Sequence, residues 1–145
     1  MSFQKPDIQD AELVLKVYDM RREAVIRQSR TALVALFQPK TYEEFFAITK
    51  FDHPHNAAFR QVTGYWEMLY SFAKHGIVNP DFWAENNGEG IFLYTKFEAY
   101  IQRFRKETSP TAFDNTIWLI ENSAEAKKRH ERIKGMFAKM AEANK

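Results

Sequence analysis

Cysteine is missing altogether, and its absence removes disulfides, thiolate zinc sites, iron–sulfur ligation and a thiol nucleophile at once. Glycine and proline are scarce, five of each in 145 residues, so turn signals are few and long elements are expected. No apolar run approaches the roughly 18 residues that a membrane helix requires. Lys5, Asp7, Asp10 and Glu12 already interrupt the first sixteen positions, which excludes a secretory signal there. Charge of one sign is also lacking: 21 basic against 19 acidic residues leave +2, too little to read as a nucleic-acid-binding surface. These absences leave a cytoplasmic protein with no membrane span as the expectation.

What is present is apolar and aromatic. Hydrophobic residues make up 45% and aromatics 15%, with 13 Phe, which is ample material for one contiguous core. The length suits a single domain over residues 1–145, with 1–6 as a flexible leader, rather than two domains.

The strongest periodic signal lies between Ala57 and Gly76. At about 100° per residue, Phe59, Val62, Tyr65, Trp66, Leu69 and Tyr70 share one arc, while Arg60, Thr63, Glu67, Ser71 and Lys74 lie opposite. An arc with that many rings needs neighbouring helices to cover it, each buried ring contributing roughly 1.5 to 3 kcal/mol. A second arc, Leu93, Phe97, Tyr100, Ile101 and Phe104, spans Ile91 to Lys106. Neither segment alternates as a strand would.

Around these two helices the punctuation is local. Asp7 to Phe37 contains no Gly or Pro and reads as one long helix, up to about 45 Å if continuous, long enough for part of it to project or to pair with a second copy. Arg21, Arg27 and Gln28 nevertheless interrupt its apolar seam and favour simple packing at its ends over a coiled coil. Gln38-Pro39 ends it. Thr41 and Glu44 have capping-box spacing before Phe45, Phe46 and Ile48. Asp52 is a candidate cap, with Pro54 in the first turn of the central helix, and Gly76 stands where a left-handed C-terminal residue belongs. Asn79-Pro80-Asp81 is a cap, a first-turn proline and a first-turn acid in succession. Asn86 to Gly90 reads as the most flexible interior stretch. Ser109-Pro110 restarts the chain, and Asn122-Ser123 caps a last helix whose seam is Ala126, Ile133, Met136, Phe137 and Met140.

Candidate chemistry is sparse. His53 and His55, one residue apart, can offer two imidazoles to a metal, but no third ligand is placed by spacing and a solvent position at a helix start accounts for them. His75, near a helix C-terminus, suits the dipole there. His130-Glu131 begins the zinc-protease pattern, and Lys134 stands where the second His is required. Glu67 beside Trp66 invites comparison with a buried acid, yet its wheel position between Arg60 and Lys74 favours surface ion pairing. Glu98, on the margin of its arc with Gln102 and Arg105 one and two turns on, is the better candidate for a partly buried carboxylate. Gly88-Glu89-Gly90 before a helix lacks the Lys and the strand of a phosphate loop and reads as a plain connection. Basic residues gather at Arg21, Arg22, Arg27 and Arg30, and again at Lys127, Lys128, Arg129, Arg132 and Lys134, where Glu125 and Glu131 are interleaved at pairing distance. No catalytic, cofactor-binding or metal-ligating residue is assigned, and no cofactor is expected.

Tyr65-Trp66-Glu67, the Gly76-Ile77-Val78-Asn79 turn and Phe104-Arg105 give residues 55–106 a resemblance to small bacterial all-helical families of unknown function. Some of those resemble membrane-tethered or phage-abortive-infection proteins with hydrophobic helices ahead of the helical part, and this sequence departs from them in showing no such helix. The resemblance implies an all-helical fold and brings no catalytic residues. The Arg-x4-6-His pattern of helical nucleases is absent for all four histidines.

The expectation is therefore an all-α, single-domain up-and-down bundle of five to seven helices with a long N-terminal helix. Its function is expected to be that of a non-enzymatic protein–protein interaction or regulatory module, with a homo-oligomer through the first helix. The alternative is a nucleic-acid-associated factor using the first and last helices. An enzyme with a site in the bundle interior ranks third and requires a polar cavity near Glu98 or the His53 and His55 pair.

Overall fold

Short polar side chains set most helix starts, because each can take an N–H that the first turn leaves unbonded. In a computed structural model that describes residues 3–144, Asp7 accepts from the Asp10 N–H at 3.0 Å, Thr41 from Glu44 at 3.1 Å, Asn79 from Phe82 at 2.8 Å and Ser123 from Ala126 at 3.1 Å. Met1 and Ser2 of the expected leader, and Lys145, lie outside the described residues. Gly76 adopts φ 75° and closes its helix with the Ile77 N–H on the Phe72 carbonyl at 2.8 Å, the arrangement glycine permits most readily. Eight α-helices result among the described residues: α1 (Ile8–Arg21), α2 (Ala24–Thr31), α3 (Tyr42–Ile48), α4 (Asn56–Lys74), α5 (Pro80–Asn86), α6 (Glu89–Glu107), α7 (Asp114–Asn122) and α8 (Ala124–Ala143). The described chain holds no strand.

Three local expectations are corrected. The continuous helix from Asp7 to Phe37 is instead α1, α2 and a π turn over Ala32–Leu36. It breaks at Glu23, whose backbone is extended at ψ 139° and whose carboxylate accepts the Ile26 N–H at 2.9 Å. The break lets α1 and α2 follow separate lines over α4: the Val17 carbonyl accepts from the Tyr65 hydroxyl at 3.0 Å, and Ser29 donates to Gln61 at 2.6 Å. Second, α4 begins at Asn56 with His55 at its cap position, so neither Asp52 nor Pro54 starts it. Third, the Asn86 to Gly90 stretch is fastened rather than loose. Asn87 is buried, and its carbonyl accepts from the Tyr70 hydroxyl at 2.7 Å.

The two arcs meet as expected. Phe59, Val62, Trp66, Leu69 and Tyr70 of α4 are buried, as are Leu93, Phe97, Ile101 and Phe104 of α6. Phe45 of α3 wedges between them, its ring 5.4 Å from Phe97, 5.6 Å from Tyr100 and 5.7 Å from Phe104. Polar tips of large side chains then fasten one element to another through main-chain carbonyls. Trp83 donates to Leu69 at 2.9 Å, Tyr100 to Pro39 at 3.3 Å, and Lys96 to Leu33 and Val34 at 3.0 and 2.9 Å. The last pair serves carbonyls of the π turn, and burial pushes the Lys96 ammonium down to about 8.

Candidate functional site

Glu98 is where its wheel position places it, on the rim of α6. Its Oε1 lies 2.6 Å from Nε2 of His130 on α8, and both side chains are partly buried. The Tyr94 ring stands 5.8 Å from the imidazole, and burial, with the Glu98 charge nearby, pushes its phenol up. A shallow hollow of about 550 Å³ lies over this group, lined by Tyr94, Thr95, Glu98, Gln102, Lys134 and Phe137. A carboxylate that orients an imidazole is an acid–base arrangement in form. The one hydroxyl beside it other than Tyr94, that of Thr95, is turned inward to the Ile91 carbonyl at 2.7 Å, so the pair faces no activated nucleophile.

A second polar knot was not legible from motifs. Glu89, the first residue of α6, receives Arg30 of α2 through two bonds of 2.7 and 2.6 Å and the Trp66 indole N–H at 3.2 Å. The Arg21 guanidinium lies over the Trp66 ring at 5.6 Å. A carboxylate at a helix N-terminus is favoured by the dipole, and the bidentate guanidinium adds direction. Gly88-Glu89-Gly90 is thus a connection, as its incomplete motif implied, with a role for two members. A Cβ at Gly90 would stand 2.5 Å from the Tyr70 ring and 2.6 Å from its hydroxyl, so the glycine admits the buried tyrosine.

Glu67 corrects the ion-pair expectation. Instead of pairing with Arg60 and Lys74 it reaches α7, where it accepts from the Asn115 N–H at 2.8 Å, the Thr116 N–H at 2.9 Å and the Thr116 hydroxyl at 2.5 Å. α7 needs this outside carboxylate because its own cap position is Phe113, in the left-handed region at φ 63° and without a side-chain acceptor. The polar face of α4 is therefore interhelical at Glu67, while Arg60 and Lys74 at its ends stay exposed.

The four histidines do not gather at one place, although His53 and His55 stand with their ring centroids 5.8 Å apart. His53 accepts the His55 N–H through Nδ1 at 3.0 Å and meets Phe37 edge-on at 5.9 Å. His75 follows α4 as its last cap residue. Among the described residues no three His, Asp or Glu side chains gather as a metal site would require, and no helix is long and apolar enough to cross a membrane.

The basic residues divide into engaged and free. Arg21 and Arg30 turn inward as above, Arg105 bonds the Ala112 carbonyl and Asp114, and Arg129 pairs with Glu125 at 3.0 Å. Arg132 and Lys139 of α8 are exposed and border a groove of about 660 Å³ between α8 and the start of α6, floored by Phe92, Ile133 and Met136.

One surface is apolar without cover. On α1, Ile8 is 77% exposed, Leu15 68% and Tyr18 55%. At about 100° per residue they fall with Ala11 in one stripe about 80° wide, on the far side of the helix from the buried Asp10 and Val17. The sequence showed an apolar α1, but not which of its apolar residues face out.

The sequence profile of a family described as Domain of unknown function (DUF4760) matches residues 6–123. That span covers more than half of the chain, and the chain belongs to this family. No curated protein and no solved structure matches it.

Proposed function

We propose that this DUF4760 member is a non-enzymatic interaction module that associates with copies of itself through the outward stripe of α1. The observation that carries this is the double-sided character of α1, which buries Val17 against the bundle and leaves Ile8, Leu15 and Tyr18 in water. Large apolar side chains clustered on one face of an exposed helix favour a helix-packing partner. The nucleic-acid alternative has less support, because the basic residues it relies on in α2 and α8 include Arg30 and Arg129, held by Glu89 and Glu125. An interior enzyme site has less still, since the hollow beside Glu98 and His130 is shallow and faces no free nucleophile.

Light scattering across a dilution series tests the proposal. The wild-type mass should rise with concentration, and Leu15→Glu, at a position already in solvent, should remain monomeric with unaltered helicity. A wild type that stays monomeric throughout, or a Leu15→Glu variant that associates equally, refutes it.

A further inference from the structure

Self-association through α1 leaves open what the stripe packs against, and the charges beside it answer that. Glu12 and Asp19 are exposed on one edge of the α1 stripe, seven residues apart. Arg132 and Lys139 are exposed on one edge of α8, also seven residues apart, beside the groove floored by Phe92, Ile133 and Met136. None of the four has an ion-pair partner among the described residues. Seven residues of helix advance about 10.5 Å in both cases, so two acids on one helix can meet two bases on the other in a single register.

Resting on the proposed role of α1, we infer that the stripe docks in the α6–α8 groove of a second copy, with α1 parallel to the receiving α8. Handedness selects the direction. With Ile8 taken as zero, Glu12 and Asp19 lie about 40° and 20° to one side of α1, while Ala11 and Tyr18 lie about 60° and 80° to the other. On α8, relative to Met136, Arg132 and Lys139 lie about 40° and 60° to the opposite side, and Ile133 lies about 60° towards α6. When two right-handed helices face each other in parallel, opposite edges meet. Acids then face bases, and Tyr18 and Ala11 face Ile133 and Phe92. Antiparallel packing would set Glu12 and Asp19 against the apolar edge. Gly135 also borders the groove, and nothing lies within 4 Å of where its Cβ would stand. No contact inside the chain requires glycine there, and its bare backbone gives the incoming helix room beside the two bases. The contact joins two different surfaces, so it propagates from copy to copy unless its rotation closes a ring.

Charge reversal separates this from other forms of self-association. Glu12→Lys with Asp19→Lys, and separately Arg132→Glu with Lys139→Glu, should each weaken association about tenfold or more, equivalent to about 1.4 kcal/mol. An equimolar mixture of the two double variants, and the chain carrying all four changes, should recover it. All four positions are exposed, and circular dichroism confirms that the variants fold. If the α8 variant associates like wild type while the α1 variant does not, α1 pairs with some other surface, and the docking inference falls while self-association stands. If both variants associate like wild type, or neither the mixture nor the fourfold variant recovers, the inference is overturned. A monomeric wild type removes both.

Discussion

Gly90→Ala adds one methyl group at the position where the core has least room for it. A Cβ there would lie 2.5 to 2.8 Å from three atoms of the Tyr70 ring and hydroxyl. Tyr70 is fully buried, and its hydroxyl both donates to the Asn87 carbonyl at 2.7 Å and accepts from the Ile91 N–H at 3.2 Å. The ring cannot yield without moving neighbours, a strain worth about 1 to 3 kcal/mol. A displaced hydroxyl also loses two buried hydrogen bonds, each about 0.5 to 1.5 kcal/mol net. Alanine regains about 1 kcal/mol of helix propensity. The net loss should be about 1 to 5 kcal/mol, read as a lowered urea midpoint with an unchanged m-value. Gly64→Ala and Gly135→Ala are the controls. Both sites are helical with nothing within 4 Å of the new atom, and both should gain roughly 0.5 to 1 kcal/mol. A Gly90→Ala protein within about 0.5 kcal/mol of wild type, or one that behaves like the two controls, would falsify the packing argument.

Three further perturbations follow from the same contacts. Trp66→Ala should lower stability by about 3 to 5 kcal/mol in urea denaturation, because the indole is fully buried and donates to Glu89; an unchanged midpoint would remove α4 from the centre of the core. Glu67→Ala strips three donors at the start of α7 of their acceptor, and a loss of about 1 to 3 kcal/mol should accompany faster amide exchange at Asn115 and Thr116, whereas native-like exchange there would contradict the outside cap. Lys96 is held down to about 8 in the fold against an ordinary 10.5, so the unfolded chain binds more protons between those values and stability rises with pH across that window. The handicap is complete below about pH 8 and gone above about 10.5. Wild type should therefore gain on Lys96→Met as the pH is raised from 7 to 10, and a flat or falling difference between their unfolding free energies would reverse the sign assigned to its burial.

Much of the framework is written locally, and those parts were legible. Gly76, Thr41, Asn79-Pro80 and Ser123 act within one turn of themselves, and each marks a helix end as its residue type demands. Even so, Glu44 closes the α3 box on the Lys40 N–H at 2.7 Å rather than on that of Thr41. The two aromatic arcs were legible because burial repeats with the helical period. The break at Glu23 was not, since neither glycine nor proline marks it and its reward comes from α4, tens of residues later. Glu67 was misjudged, and the bonds of Glu89 were missed, for the same reason. Their partners lie 48 and 59 residues away along the chain, and a helical wheel drawn on one segment treats every face without apolar residues as a face for water. Glu98 was singled out correctly as a partly buried carboxylate, but its partner His130 had been considered only as a fragment of a metal motif.

The carbonyl fastenings have an asymmetric consequence for sequence drift. Tyr65, Tyr70, Trp83, Lys96 and Tyr100 each supply a particular donor, whereas Val17, Asn87, Leu69, Leu33 and Pro39 supply an oxygen that every amino acid possesses. An exchange at a donor breaks its tie outright. An exchange at an acceptor keeps the tie as long as the backbone holds its path. The ties by themselves therefore constrain side-chain identity at the five donors and not at the five acceptors, so at Val17, Leu33, Leu69 and Asn87, all of them buried, exchanges of like size and polarity should be tolerated where exchanges at their donors are not.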